Sequence, residues 1–409
     1  MTFLNEICIR YPEAISFAPG RPLEETFNLG DINKYIDGFT HYLRNEVGLT
    51  LTDATREILQ YGNTSGIIQP LLARHLELDE NISVQPTDIV VTVGAQEAMV
   101  LALRALCATA DDAVLVPEPC YVGIVGAAKL FNIPIVAVPE TGGEITTGSL
   151  SESLRTARAQ GLNPTLLYLV PSYANPSGFS LSRAQREEIL AFAELNNLFI
   201  LEDNPYGLFA RAPNQPIATM KSLDTDGRVI YLGSFAKTGF PGARIGYLVA
   251  DQITDQQSGA KLQEALAAVK SMITVNTPPI AQAVIGGLLL ACDCSLKTHT
   301  RGLAARYSEN LNHLLAALEA NIPANRGISW NTPDGGFFTL LDVPFIADDA
   351  ALERCAKEFG VLWTPMRHFF LGPGGERAIR LSSSLLSTDE ISAGIEQFAA
   401  FIAKETAPL

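Results

Sequence analysis

RVIYLGSFAKTGFPGARIGY, residues 228–247, opens as a run of β-branched, aromatic and aliphatic residues that reads as a strand and stops at Ser234. Lys237 follows at once, set among Phe235, Ala236, Thr238, Gly239 and Phe240 rather than among other charges. A lone lysine is ordinarily a solvated surface charge. These neighbours argue instead for partial burial, which lowers an ammonium pKa and leaves an amine able to form an imine. Ser234 before it and Arg244 after it supply a hydroxyl and a guanidinium suited to a phosphate. Reactive groups delivered at a strand's end are what an open parallel sheet presents to its ligands.

The same form repeats toward the N-terminus. DIVVTVG (88–94), AVLVPEP (113–119), IPIVAVP (133–139), TLLYLVPS (165–172) and LFILEDNPY (198–206) read as strands. QEAMVLALRALCA (96–108), VGIVGAAKLF (122–131) and SRAQREEILAFAELNN (182–197) carry helical spacing between them. The alternation predicts an α/β fold with a mostly parallel sheet covered by helices. Beyond about residue 290 the order changes. A long helix over roughly 295–320 leads into ISWNTPDGGFFTLLDVP (328–344) and AIRLSSSLL (378–386), which predicts a smaller α+β lobe.

The 409 residues exceed one ordinary domain and fit two or three lobes. A formal charge of −15 opposes non-specific nucleic-acid binding, which needs basic surface. The six cysteines (8, 107, 120, 292, 294 and 355) form no CxxC pair and the histidines are dispersed, so free thiols and no metal site are expected. MTFLNEICIRYPEAISF, at the start, has no basic stretch followed by a long apolar run and does not read as a signal peptide. IGGLLLAC (285–292) is too short to span a bilayer. A cytoplasmic location without membrane or nucleic-acid partners is the expectation.

Each strand end carries a candidate. Gly94, Ala95 and Gln96 stand where a strand becomes a helix, and free N–H groups there can hold a phosphate; small residues also simply serve such a turn. Tyr121, in PEPCYVG, can stack on a flat cofactor or fill the core. Asn175, in PSYANPSG, suits turn chemistry or an amide contact to a cofactor oxygen. Glu202 and Asp203 follow four apolar residues, and a carboxylate there needs a partner. A pyridinium N–H⁺ and a helix cap both qualify. Tyr206 lies three residues on.

Taken together these segments resemble the class I and II aminotransferases, the fold-type I family of pyridoxal 5′-phosphate (PLP) enzymes. GAQ, Tyr121, NPSG, EDNPY, SFAK with PGARIGY, and RLSSS fall in the family's order, from about Ile15 to Ile395. The resemblance implies a fold-type I architecture: an N-terminal segment (1–50) that joins the small domain and closes over substrate, a large PLP-binding domain (51–290), and a small domain (291–409). It implies Lys237, Asp203 and Tyr121 as the catalytic group. Lys237 holds PLP as a Schiff base and moves protons, Asp203 pairs with the pyridine nitrogen, and Tyr121 stacks on the ring. Asn175 and Tyr206 bond the phenolic oxygen. Gly94, Ala95, Gln96, Ser234 and Arg244 hold the phosphate, joined by Tyr61 (in LQYGNTSG) from the other subunit of a homodimer. Arg380 binds the substrate carboxylate, with Gly20 (in SFAPGRP) and Asn175 beside it. The likeness is nearest to the aminoadipate and aromatic aminotransferases. NPSG where NPTG is usual, Ala174 where the subgroup often has glutamine, and SFAK where many relatives carry a second serine are departures that bear on the substrate more than on the cofactor.

The implied reaction is transamination between an amino acid and a 2-oxo acid. The alternative within the same chemistry is a lyase or cyclase acting by elimination, replacement or ring closure at the side chain, such as cyclic guanidine formation from hydroxylated arginine. A regulator that carries this fold behind a winged helix is not expected, because the resemblance begins within about twenty residues of Met1. Borohydride reduction of the holoenzyme should fix a pyridoxyl group on the peptide bearing Lys237. Mass mapping that finds the label on another lysine removes that assignment.

Overall fold

The structure, a computed structural model, describes residues 6–7, 9–140, 143–212, 217–255 and 257–407. Cys8 lies outside them. The chain enters through a short strand β1 (Ile15–Ser16) and helices α1 (Leu29–Asn45), α2 (Leu51–Leu59) and α3 (Gln69–Glu80). The alternating region follows as β2 (Ile89–Val93), α4 (Gly94–Leu106), β3 (Asp112–Glu118), α5 (Val122–Leu130), β4 (Ile135–Pro139), α6 (Thr147–Ala159), β5 (Asn163–Leu169), α7 (Arg183–Asn196) and β6 (Phe199–Asp203). Then come α8 (Met220–Leu223), β7 (Val229–Ser234), β8 (Ile245–Val249), a β9 (Ile253–Asp255) and β10 (Ala260–Lys261) hairpin, α9 (Leu262–Ile273) and α10 (Pro279–Ala291).

The large sheet has seven strands in the order β2-β8-β7-β6-β5-β3-β4. All neighbours are parallel except β8, which runs against both β2 and β7. The mostly parallel α/β architecture expected from the alternation is therefore the observed one. Side-chain parity gives the sheet two buried faces. Val114, Val116, Tyr168, Leu201 and Leu248 face a core beneath α4 and α5. Leu115, Leu167, Leu169 and Ile200 face a second core beneath α7, and Val91, Tyr247 and Val249 a third beneath α1 and α10.

Local chemistry sets the helix limits. Ser182 and Gln185 form a capping box at the start of α7, and Asn197 ends it in the left-handed region at φ 55°. The apolar IGGLLLAC stretch lies in α10, which is buried against α1. A Cβ on Gly287 would come within 1.9 Å of the Tyr35 carbonyl, so only glycine permits this helix contact. No described helix is long and apolar enough to cross a membrane.

The C-terminal part contains α11 (Leu296–His299), α12 (Arg301–Asn321), β11 (Ser329–Trp330), β12 (Phe338–Asp342), α13 (Asp349–Phe359), β13 (Val361–Leu362), β14 (Thr364–Pro365), β15 (Ala378–Ser382) and α14 (Thr388–Glu405). The single long helix expected near 295–320 is thus two helices parting at Thr300. The short first one has its own cap at Ser295, and Asp79 accepts from the Lys297 N–H at 3.0 Å, which ties it to α3. β11-β12-β15-β14 form an antiparallel sheet. β1 pairs in parallel with β13, and Phe17 is fully buried in this lobe's core. The chain then runs on through Ala18 and Gly20 into the space between the lobes.

Candidate active site

Strand parity separates the two carboxylates at the end of β6. Glu202 points to the face of Ile200 and accepts from the N–H groups of Met220 and Lys221 at 2.8 and 2.7 Å, so it caps α8. Asp203 points to the opposite face, where Tyr168 Oη donates to its Oδ2 at 2.7 Å. The other oxygen, Oδ1, is buried with no hydrogen-bond partner. Burial pushes the Asp203 carboxyl up to about 7, and the Tyr168 bond only partly opposes it. Of the two carboxylates, Glu202 is thus the helix cap, and Asp203 is left with an oxygen free for another partner. Tyr168 was not among the expected site residues. Its signal was a hydroxyl in an otherwise apolar strand, where burial demands a partner.

Around Asp203 the other strand ends converge. Tyr121 begins α5, and its ring packs against Gly123, whose carbonyl accepts from Gln96 Nε2 at 2.9 Å. Gly94 and Ala95 start α4, where no side chain caps the helix. That leaves N–H groups and the positive end of the helix dipole open. Gly94 sits at φ +72°, and a Cβ there would lie 2.4 Å from the Arg244 guanidinium. Glycine is required both by the turn and by the arginine. Ser234 ends β7, and its Oγ accepts from the Ala236 N–H at 3.2 Å.

Lys237 Nζ donates to the Gly20 carbonyl at 2.6 Å, the contact that joins the N-terminal segment to the lysine. Burial first, then Arg380, Arg21 and Arg244, push its ammonium down to about 8. The small lobe presents Arg380 by the same parity rule. Ile379 and Leu381 enter its core, while Arg380 faces the large lobe. Its Nη1 donates to Asn175 Oδ1 at 2.6 Å, and its Nη2 to the Ala18 carbonyl at 2.7 Å and Thr364 Oγ1 at 3.2 Å. The guanidinium lies 4.3 Å from the Phe338 ring centroid and 4.9 Å from that of Phe369. Nε is buried without a partner, and burial lowers the group to about 10. Among the described residues no carboxylate pairs with Arg380. Tyr206 is buried edge-on to Phe337 and Phe338. Ala18, Thr364, Phe337, Phe338 and Phe369 are further residues that pattern alone did not mark.

The structure therefore brings Gly20, Gly94, Ala95, Gln96, Tyr121, Asn175, Asp203, Tyr206, Ser234, Lys237, Arg244 and Arg380 to one cleft between the lobes. Tyr61 stands apart at 82 % exposure. Among the described residues no cluster of three or more His, Cys, Asp or Glu is placed to hold a metal. The donor set fits PLP. An unpartnered carboxylate oxygen suits a protonated ring nitrogen, an uncapped helix start beside an arginine suits a phosphate, and a lysine of lowered pKa suits an aldehyde.

Fold and cleft define a PLP-dependent enzyme of fold type I. The family model "Aminotransferase class I and II" matches residues 29–398, and the chain belongs to that family. It is 46 % identical over 403 residues to the (S)-3,5-dihydroxyphenylglycine transaminase of Amycolatopsis orientalis, covering 98 % of this chain and 91 % of that one. It is 28 % identical to the 2-aminoadipate transaminase of Thermus thermophilus over 94 % of this chain and 89 % of that one. Among solved structures, the Pyrococcus horikoshii kynurenine aminotransferase superposes with a TM-score of 0.84 at 27 % identity, covering 99 % of this chain and 95 % of that one. The protein is a PLP-dependent amino-acid aminotransferase, and these relatives do not favour the lyase or cyclase alternative.

Asp203 offers a direct test. Its pKa of about 7 lies above the ordinary 3.8, so the stability that protonation gives the apo fold is fully present below about 3.8 and is lost as pH rises from there to about 7. Urea unfolding of apo protein should show this loss, at up to about 1.4 kcal/mol per pH unit inside that window. Asp203→Asn should lack that component, keep PLP, and lose turnover by about a hundredfold or more. Equal pH slopes and full activity in the variant would make Asp203 a structural carboxyl.

Proposed function

We propose that this aminotransferase acts on amino acids with an aromatic side chain, hydroxylated arylglycines foremost. The observation that carries the reading is Arg380, a buried guanidinium held between the faces of Phe338 and Phe369 with no carboxylate partner among the described residues. A cation so desolvated is strongly favoured by an anion of matching fork geometry, which a substrate α-carboxylate provides. The aromatic walls add Tyr206 and Phe337. The relative named for a dihydroxyphenylglycine supports the class of side chain.

In this reading each residue has a task. Asp203 would keep the ring nitrogen of PLP protonated, and Asn175 and Tyr206 would hold its phenolic oxygen. Tyr121 would stack on the ring. Gly94, Ala95, Gln96, Ser234 and Arg244 would hold the phosphate. Bound PLP supplies a carbonyl for the amino group and a ring that withdraws electrons from the substrate's Cα. Arg380 and Asn175 orient the substrate so that Lys237 Nζ reaches the Cα proton, and a lysine whose ammonium sits near 8 gives up and takes back that proton close to neutral pH. Gly20, bonded to Lys237, carries the stretch that follows Phe17 to the mouth of the cleft. We take 51–290 and 291–409 as the large and small domains.

The working form is proposed to be a homodimer. Tyr61 and Leu59 are 82 % and 67 % exposed, and so are Met272 (85 %), Val275 (52 %) and Ile280 (51 %). Gly62 lies against Asn276 and Pro279, which places these apolar groups on adjoining segments. A second copy of the chain would cover them and bring Tyr61 to the neighbouring phosphate site. The scattered free thiols of the described cysteines suit a reducing compartment such as the cytoplasm.

Two experiments check this. A hydroxylated (S)-phenylglycine added without any 2-oxo acid should release about one equivalent of oxo product per site and then stop, resuming when a 2-oxo acid is supplied. Its kcat/KM should exceed that for aspartate by about tenfold or more, as expected when apolar contacts decide between side chains. Sustained turnover without an acceptor contradicts transamination, and faster turnover of aspartate contradicts the aromatic preference. Separately, mixing inactive Tyr61→Phe and Lys237→Ala chains should restore activity, since one heterodimer site then carries neither defect. A fully active monomer overturns the shared site.

A further inference from the structure

Glu97 stands in the first turn of α4, directly behind Gly94, Ala95 and Gln96, and is 8 % exposed. Its Oε2 accepts from the Val93 N–H at 2.6 Å, which fixes the corner between β2 and α4. Its Oε1 accepts from the Thr274 hydroxyl at 2.6 Å. Lys270, on α9, has 0 % exposure; its Nζ lies 3.4 Å from Glu97 Oε2 and donates to Thr274 Oγ1 at 2.8 Å. Burial lowers the Lys270 pKa, and Glu97 draws it back up. None of these three residues takes part in the reaction described above.

The arrangement presents an electrostatic problem. A phosphate needs the positive start of α4, and a buried carboxylate already occupies the inner side of that same start. In a low-dielectric interior two anions so placed repel strongly, and solvent does little to screen them. Removing the carboxylate would free the Val93 N–H, which also destabilises a buried corner. A buried ammonium beside the carboxylate resolves both demands.

We propose that Lys270 is a positioning residue for the cofactor phosphate: by neutralising Glu97 it lets that carboxylate hold the β2–α4 corner without repelling a phosphate bound at Gly94–Gln96. The proposal rests on the reading that the PLP phosphate occupies this helix start. It places a determinant of cofactor affinity on α9, beyond contact with the cofactor.

The test compares PLP with pyridoxal, which lacks the phosphate, by their dissociation constants for the apo protein. Lys270→Met should lower the preference for PLP over pyridoxal by about tenfold or more, because the uncompensated Glu97 opposes only the phosphorylated ligand. Lys270→Met combined with Glu97→Gln should recover it. Glu97→Gln alone keeps an acceptor for Val93 and leaves the ammonium uncompensated, so it should raise the preference by about threefold; this variant serves where Lys270→Met does not fold. A merely structural Lys270 would weaken both ligands alike, and that result, or an unchanged preference, overturns the proposal. Arg244→Met separates the two readings. If it lowers the preference while the Lys270 and Glu97 variants do not, the proposal fails and the phosphate site stands. If none of the variants moves the preference, both fail.

Discussion

Asp203 Oδ1 is a carboxylate oxygen buried without a partner at the end of a parallel strand, and the arrangement of the cleft follows from that constraint. A group of this kind is tolerated only where something binds it or where it stays protonated, and burial moves it toward the second option by raising its pKa to about 7. Arg380 repeats the pattern with the opposite sign, as a buried cation with one nitrogen unpartnered. The fold thus holds a buried carboxyl and a buried guanidinium with no ion pair between them. Each instead faces the space where a cofactor cation and a substrate anion would complete it.

The scaffold supports these groups by parity. In β6 the same two-residue period sends Glu202 to cap α8 and Asp203 to the cleft. In β15 it sends Ile379 and Leu381 into a core and Arg380 out toward the large lobe. In β5 it sets Tyr168 beneath Asp203. A shift of one residue in any of these strands would exchange the buried apolar face for the site face. Tight apolar packing on both sides of each sheet therefore also aims the polar groups.

The cleft is closed by segments distant in sequence. Phe17 anchors the N-terminal segment in the small lobe's core, and from there Ala18 reaches Arg380 and Gly20 reaches Lys237. These contacts link the Lys237 amine, the Arg380 guanidinium and the chain entry along one hydrogen-bonded edge.

Much of this was legible in the chain alone. The alternation of strand and helix patterns predicts the parallel sheet, because period 2 and period 3.6 are local properties of the backbone. The lysine among apolar residues and the small residues at the start of α4 are local signals as well, whereas Arg380 was marked only by the family resemblance; all lie in the cleft. Tyr168, Thr364, Phe338, Phe369 and the carbonyls of Ala18 and Gly20 carried no comparable mark, since their importance lies in what they touch. Local pattern left Glu202 and Asp203 open between a cap and a cofactor contact, and only the family resemblance selected Asp203. It predicted one helix where Asp79 and Ser295 make two. Local sequence determined which strand ends carry the candidate polar residues, because strand and helix periods are set by near neighbours. Only the tertiary structure decided which partners those residues have and which buried charges remain unpaired, because hydrogen bonding and desolvation depend on neighbours hundreds of residues away.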